Sequence, residues 1–501
     1  MTHAIRIRLF TFCLAVLSAG PAFTQTQSSE ANPAATASAA NVAYVYVGTT
    51  KGVYLYDATS NGKLTLVSGS PFTIAGTAAA SNGKYFISLG THYLHSYPVA
   101  ANGALKAQVS QINTANYAPG DCAAPSNASL DLTGQNVYVL MNPPSNFIAD
   151  CAAYQSFSLG KTNGALEFQA VALVDPPLFP LTFTANNQFA FAANPVTNTD
   201  GTIDALTYQV FSRQSNGALE NWNTINEPTL QDAPDGANYF PWLANAGPGN
   251  SLAAALGNWL FYESPIVSNG PIVLVSYTVD GDGNISTTNL GSETPTPAVG
   301  PTMIKMSPSG KLLAVAGNSQ VAPAPVLLLA NGLQIFHFNG PDPITPYSKA
   351  LTGDPIDQMQ WDNNDHLFAL SFSTHKLYVY TVTPTTIAAV PGSPYTIASP
   401  NALVVVPTSS CSAPASAGVH ICSPASGASV SSPVQVEATA KVTGTIVSTQ
   451  LWVDGVKNFN APGSTTLTTS VGLAAGTHRF TVIAVNTSGQ KWESTVNATV
   501  K

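Results

Sequence analysis

Charge is what this 501-residue sequence has least of. Charged residues make up 8% of it, against roughly a quarter in an average soluble protein. Lys and Arg number 17, no two of them adjacent, against 25 Asp and Glu, for a net charge of −8. Phosphate recognition needs clustered cations, so no nucleic-acid partner is expected. Apolar runs long enough to cross a bilayer, about 20 residues, are also missing, and no membrane span is expected. There is no H-E-x-x-H and no G-x-S-x-G, which removes the zinc-protease helix and the nucleophile elbow. Cysteine is scarce, at five residues.

The one compact apolar run is N-terminal. His3, Arg6 and Arg8 precede Leu9–Ala19, and Gly20-Pro21-Ala22 follows as a small-residue cleavage site. That is the layout of a secretory signal peptide. Residues 1–22 are therefore expected to be a signal and 23–40 a disordered linker. The chain is expected to be exported, to the periplasm, the cell surface or the medium. Cys13 lies in the leader, which leaves Cys122, Cys151, Cys411 and Cys422. An even number in an exported chain suggests disulfides. The expected pairs are Cys122–Cys151 and Cys411–Cys422.

Polar turns and β-rich segments fill the rest, and they repeat. A turn followed by an apolar residue recurs at Asn61-Gly-Lys-Leu64, Asn102-Gly-Ala-Leu105, Asn163-Gly-Ala-Leu166, Asn216-Gly-Ala-Leu219 and Asp282-Gly-Asn-Ile285. Asn-Gly between β-rich runs signals a hairpin, on the expectation that both turn positions take φ > 0. Before each turn lies a Tyr/Val/Leu-rich strand, and before that strand another. LQIFHF (333–338) and KLYVYTV (376–382) extend the series to seven. Four-stranded meanders of this kind bury both faces only when packed radially. The reading is all-β: a seven-bladed β-propeller over 41–408, a linker over 409–418, and an immunoglobulin-like β-sandwich over 419–501. The orphan strand ALVVVP (402–407) is expected to return to the first blade and latch the ring.

The segments GSPFTIAGTAAASNGKYFISL, LHSYPVAANGAL and GSPYTIASPNALVVVP resemble the lactonase-like seven-bladed propellers, a family that includes bacterial 6-phosphogluconolactonases. The stretches SPASGASVSSPVQV and AAGTHRFTVIAVNTSG resemble bacterial immunoglobulin-like domains. The first resemblance implies the propeller fold and, as an alternative function, a lactonase-like hydrolase that opens a sugar lactone. It transfers no catalytic residue. The segments APSNASLDLTGQ, PLTFTANNQ and PWLANAGPGNS lack the His and Arg expected of active relatives. Beyond the leader the only arginines are Arg213, beside a turn on the opposite face, and Arg479, in the tail.

Strand order puts the loop after each second strand and the loop between blades on one face. There the loops are long: 142–153, 194–205, 257–271, 317–331, 113–125 and 225–239. Functional residues gather on such loops. The candidate ligand-binding residues are Asn142, Asn194, Asn258 and Asn318, read as ending second strands, with Tyr239 and Trp242 beside them. Trp259 and Tyr262 lie near the same region. Cys122 and Cys151 fall in two of these loops at the third blade, which motivates their pairing. Asp121, Asp150, Asp200, Asp204, Asp232 and Asp235 are read as solvated loop acids. Asp280-Gly-Asp282-Gly-Asn284 resembles a calcium loop but lacks the downstream Glu and central Gly, so it is read as a turn. His92 and His375 fall in second-strand loops of two blades, and two imidazoles alone make a poor metal site. No metal and no cofactor is expected. The expected function is a monomeric binding protein that holds a glycan, cell-wall polymer or protein on the long-loop face, with the tail as spacer or second contact.

Overall fold

The computed structural model describes residues 41–501 apart from short segments, the longest being 119–123, 143–151, 175–180, 198–202, 227–238, 261–266 and 319–329. Residues 1–40, where a signal and a linker are expected, and Cys122 and Cys151, whose pairing is expected, lie outside the described residues. No described residue is α-helical.

Seven antiparallel sheets, each built on a four-strand path, follow one another along the chain. In blades 2 to 7 the strands run in sequence order from the ring centre outward. Their innermost strands are Thr77–Ser81, Ala124–Leu130, Thr182–Phe183, Tyr239–Gly247, Pro301–Met306 and Gln358–Trp361. Blade 1 has three N-terminal strands, beginning at Asn41–Thr49, and its inner strand is the late segment Pro400–Pro407. Ala43 to Thr49 pair with Pro407 to Pro400 in antiparallel register, as the orphan strand predicted.

Period-2 alternation explains why the second strands are apolar throughout. Each lies between two neighbouring blades and buries both faces. Val45 and Val47 enter the core between blades 7 and 1, while Tyr46 enters the core between blades 1 and 2. Leu313 and Val315 face blade 5, whereas Leu312, Ala314 and Ala316 face blade 7. Every gap between consecutive blades carries one such cluster, including the gap that closes the ring.

The Asn-Gly turns differ in geometry from the two-residue hairpin expected. Asn61, Asn102, Asn163 and Asn216 have ordinary φ, and only the glycine after each is left-handed. In blade 4, Gly217 N–H donates to the Gln214 carbonyl (2.9 Å), and Gln214 N–H to the Ala218 carbonyl (2.8 Å). The turn is type I with glycine at its last position. The Asn side chain accepts the N–H two residues on, 3.0 Å from Ala218 N for Asn216, which stabilises that form. These turns also join blades. Gly103 and Gly217 carbonyls accept from Tyr46 and Tyr138 hydroxyls of the preceding blade, both at 2.8 Å.

Gly217 has φ +92, and an added Cβ would lie 1.9 Å from Asn136 Nδ2. Gly217→Ala is expected to cost about 1–3 kcal/mol, through the left-handed φ and the clash. Gly281→Ala, where a Cβ meets nothing within 4 Å, should stay within about 0.5 kcal/mol. Urea titration of the two variants separates these outcomes.

The tail is a two-sheet sandwich. Gly418–Ser423, Val434–Lys441 and Thr466–Val471 form one sheet, and five strands ending in Lys491–Val500 form the other. Val436, Leu451, Phe480 and Val482 fill the core between them. Cys411 and Cys422 are disulfide-bonded across 11 residues. Thr439 Oγ1 donates to the Cys411 carbonyl (2.9 Å), so the bridge ties the linker to the first sheet as expected.

Candidate functional site: the central channel and its two mouths

No ladder joins one blade's innermost strand to the next among the described residues. Side chains bridge them instead. Thr182 Oγ1 accepts from Ala246 N–H (2.7 Å), and Asn245 Oδ1 accepts from Met306 N–H (2.7 Å). Trp361 Nε1 donates to the Lys305 carbonyl (3.1 Å). Across the closing seam, Gln358 and Gln360 each accept at 2.6 Å, from Leu403 N–H and Val405 N–H. The side-chain oxygens of both glutamines are therefore spent on holding the ring.

The strands so joined surround a cavity of about 530 Å³. Thr77, Asn127, Ser129, Asn401 and Lys305 are among the residues that line it. Thr77, Asn127 and Asn401 are exposed to it. Their side chains have no hydrogen-bond partner among the described residues. Lys305 is the one ionisable side chain of the described lining. It is part-buried, and burial pushes its ammonium below the usual lysine range, with no charged neighbour to offset it.

A second cavity of about 520 Å³ continues past Lys305, Ser129 and Gln360 at the tight-turn end. Its outer wall belongs to the tail: Gln435, Phe459, Thr468 and Thr469. Gln435 Nε2 donates to the Pro308 carbonyl, and Gln135 Nε2 to the Pro462 carbonyl at 2.9 Å. Pro308 and Gln135 both lie on turns that follow inner strands. The tail thus sits against the tight-turn mouth of the channel, in direct contact with the propeller rather than held off it.

At the long-loop mouth the predicted residues divide. Asn142, Asn194, Asn258, Tyr239 and Trp242 have described backbone only. Asn142 closes its strand, paired with Ala124, and Tyr239 pairs with Asn258. Asn194 and Asn258 do not end theirs, because the strands run on to Thr197 and Leu260. Asn318 is described: its Nδ2 donates to Asp357 Oδ1. Asp357 also accepts Phe372 N–H at 2.6 Å, and burial raises its carboxyl pKa. Asn318 thus braces a loop, the cap role that Asn often takes. Asp121, Asp150, Asp200, Asp232 and Asp235 lie outside the described residues, as does the Asp204 side chain.

Other candidates resolve as structure. Asp280 accepts from Asp282 N–H (2.9 Å), Asn284 N–H (2.8 Å) and Asn284 Nδ2 (3.0 Å). The Asn284 side chain first, and these backbone donors after it, hold its carboxyl below the usual range. It is a turn, as read. His92 and His375 are both exposed. Among the described residues the one set of three ligating side chains within reach of one another is Cys411, His420 and Cys422, and its two sulfurs are joined. Arg213 is paired with Asp131 (Nη2–Oδ2 2.6 Å) on the tight-turn face.

Thr77, Asn127, Asn401 and Lys305 are not among the residues singled out from sequence, because they lie in inner strands and not in the long loops. Their one signal was polar side chains inside inner strands.

The sheet order and the chain of inter-blade cores define the class: a seven-bladed β-propeller with a C-terminal immunoglobulin-like sandwich. Residues 418–482 match the bacterial Ig domain family. No curated protein matches the chain significantly. Similar solved structures include a protein of Bacteroides uniformis ATCC 8492, provisionally assigned as a 6-phosphogluconolactonase. It is 16% identical, with 73% of this chain and 100% of that one covered and a TM-score of 0.49. A protein of Bacteroides fragilis NCTC 9343 with the same provisional assignment is 15% identical, covering 75% and 100%, TM-score 0.46. A periplasmic gluconolactonase of Pseudomonas aeruginosa is 15% identical, covering 73% and 99%, TM-score 0.49. The architecture itself stands on the sheet order of this chain.

Proposed function

We propose that this chain is an exported binding protein whose propeller takes the end of a glycan into its channel from the long-loop face. The observation that carries this reading is the tail against the tight-turn mouth. With the tail standing at that mouth, the long-loop side is taken as the approach to a cavity of about 530 Å³, within the ordinary range for small-ligand pockets. The unpartnered amides of Asn127 and Asn401 and the Thr77 hydroxyl suit sugar hydroxyls, which both donate and accept. Export is supported by the Cys411–Cys422 disulfide, which belongs to oxidising compartments, and by the apolar leader of the sequence. The tail acts as a stopper and second contact. The long-loop residues Asn142, Asn194, Asn258, Tyr239 and Trp242 are proposed to form the rim, where aromatic faces would stack on a sugar ring.

A glycan array probed with the whole mature chain tests this. Binding to a sugar class is expected, with about a tenfold loss in Asn127→Ala, the loss of roughly one hydrogen bond's worth of affinity. Hydrolysis of sugar lactones at enzymatic rates by the purified chain would replace the binding reading with the hydrolase. Array binding untouched by Asn127→Ala would move the site off the channel.

A further inference from the structure

Lys305 sets a problem that the channel's polar walls do not solve. Ile304 and Met306 on either side of it turn into the core between blades 5 and 6. Lys305 turns the other way, onto the wall shared by the channel and the cavity that the tail helps to line. Its backbone carbonyl is satisfied by Trp361, so the indole explains the strand position and not the amine. The ammonium has neither an ion-pair nor a hydrogen-bond partner among the described residues. No described lining residue of either cavity is acidic. Two positions earlier the same wall is made by Met303, which fills space with no charge to desolvate. A part-buried ammonium that faces a cavity without a partner is desolvated at some cost, and an unpartnered charge held in a cavity is a mark of a binding or reacting site.

We infer that the channel is an anion site, in which Lys305 receives the single negative group of a small polar organic acid, a carboxylate in the first instance. This rests on the channel-binding reading above and names its ligand class. The ligand is a monoanion, because one cation stands in the described wall. Its body is polar, because Asn127, Asn401 and Thr77 line the approach. It fits within about 530 Å³, enough for one sugar-sized unit. Lys305 lies at the tight-turn end of its strand, so the acid group leads and the neutral body faces the long-loop rim. An acidic end unit of a glycan meets all of these conditions. The channel's charge is also opposite to that of the whole chain, which at −8 would repel anions elsewhere on its surface.

Isothermal titration of the whole mature chain with glucuronate, glucose and inorganic phosphate provides the test. Glucuronate and glucose share a ring and differ in charge, while phosphate separates a carboxylate site from a general oxyanion site. Glucuronate is expected to bind at least tenfold more tightly than glucose. Lys305→Met should remove that advantage, and Lys305→Arg should restore part of it. Phosphate binding more tightly than glucuronate would overturn the carboxylate assignment. Glucuronate binding equally to wild type and Lys305→Met would overturn the site. A ligand-independent readout accompanies these: Lys305→Met should melt at the same temperature as wild type or higher. A clear fall in its midpoint would make the lysine a structural residue and overturn the inference. A bromide soak gives a third readout, with an anomalous peak at Lys305 Nζ that is absent from Lys305→Met. Absence of both the peak and any anion-dependent heat at millimolar concentration likewise overturns it. Array binding of neutral glycans, together with glucuronate binding no better than glucose to wild type, would leave the binding function standing while the anion assignment fell.

Discussion

A chain ending at Ser399 is expected not to fold into a stable ring, whereas one ending at Thr408 is expected to keep it. The nine residues between carry the inner strand of blade 1. Ala402 to Val406 are all buried. They serve two cores, Leu403 and Val405 against blade 7 and Ala402, Val404 and Val406 against blade 2. Burying an apolar side chain contributes roughly 1.5–3 kcal/mol, so the five together contribute on the order of 10 kcal/mol. That is comparable with the whole stability of a typical protein, about 5–15 kcal/mol. The strand also completes the ladder of Asn41–Thr49, and its loss leaves a long apolar edge open to aggregation. The Leu403 and Val405 amides that hold Gln358 and Gln360 would vanish with it. Size-exclusion chromatography and a urea titration of the two truncated chains check this. A cooperative transition in the Ser399 chain, near that of the longer one, would mean that the ring closes without its latch.

The same seam shows how much could be read in advance. Seven repeats, the returning strand and the tail sandwich were legible because each rests on local chemistry: alternating apolar residues, Asn and Gly at turns, and a strand with no hairpin partner. The turn type was misjudged for a physical reason. A dipeptide does not reveal whether Asn itself turns left-handed or lets its side chain cap the next amide while only Gly does so. The site was less legible. Propeller inner strands meet through single side chains, such as Thr182 to Ala246 and Asn245 to Met306. These contacts span sixty or so residues and leave no periodic trace. Lys305, in the plain segment Pro301–Met306, becomes notable only when the ring puts it in a wall without acids. The placing of Phe459 and its neighbours at the tight-turn mouth depends on how two domains dock, which no local pattern encodes.

Arg213→Met is expected to destabilise the propeller by about 3–5 kcal/mol, the usual cost of removing one partner of a buried ion pair. Arg213 is one of two arginines beyond residue 8, the side chain able to grip a phosphate bidentately, and the fold uses it otherwise. Its Nε and Nη2 reach Asp131 Oδ2 at 2.9 and 2.6 Å, and Nη2 reaches Asn136 Oδ1 at 2.7 Å. The Asp131 side chain has no exposed surface, and that of Arg213 is 13% exposed. Asp131 also shapes the turn after the inner strand of blade 3, accepting from Thr133 Oγ1 (2.8 Å) and Gln135 N–H (3.1 Å). Without Arg213 the carboxylate would keep its turn but lose its counter-charge in a site that water does not reach. Lost charge and lost packing can be told apart with a second change. Asp131→Asn retains an oxygen for the turn and drops the charge, so the pair Asp131→Asn with Arg213→Met should recover more than half of the loss. That non-additivity is the signature of two groups in contact. Urea midpoints of the two single variants and the double variant measure it. A loss under about 1 kcal/mol in Arg213→Met would show that water reaches Asp131 once the guanidinium is gone, and that the pair contributes no more than an exposed one.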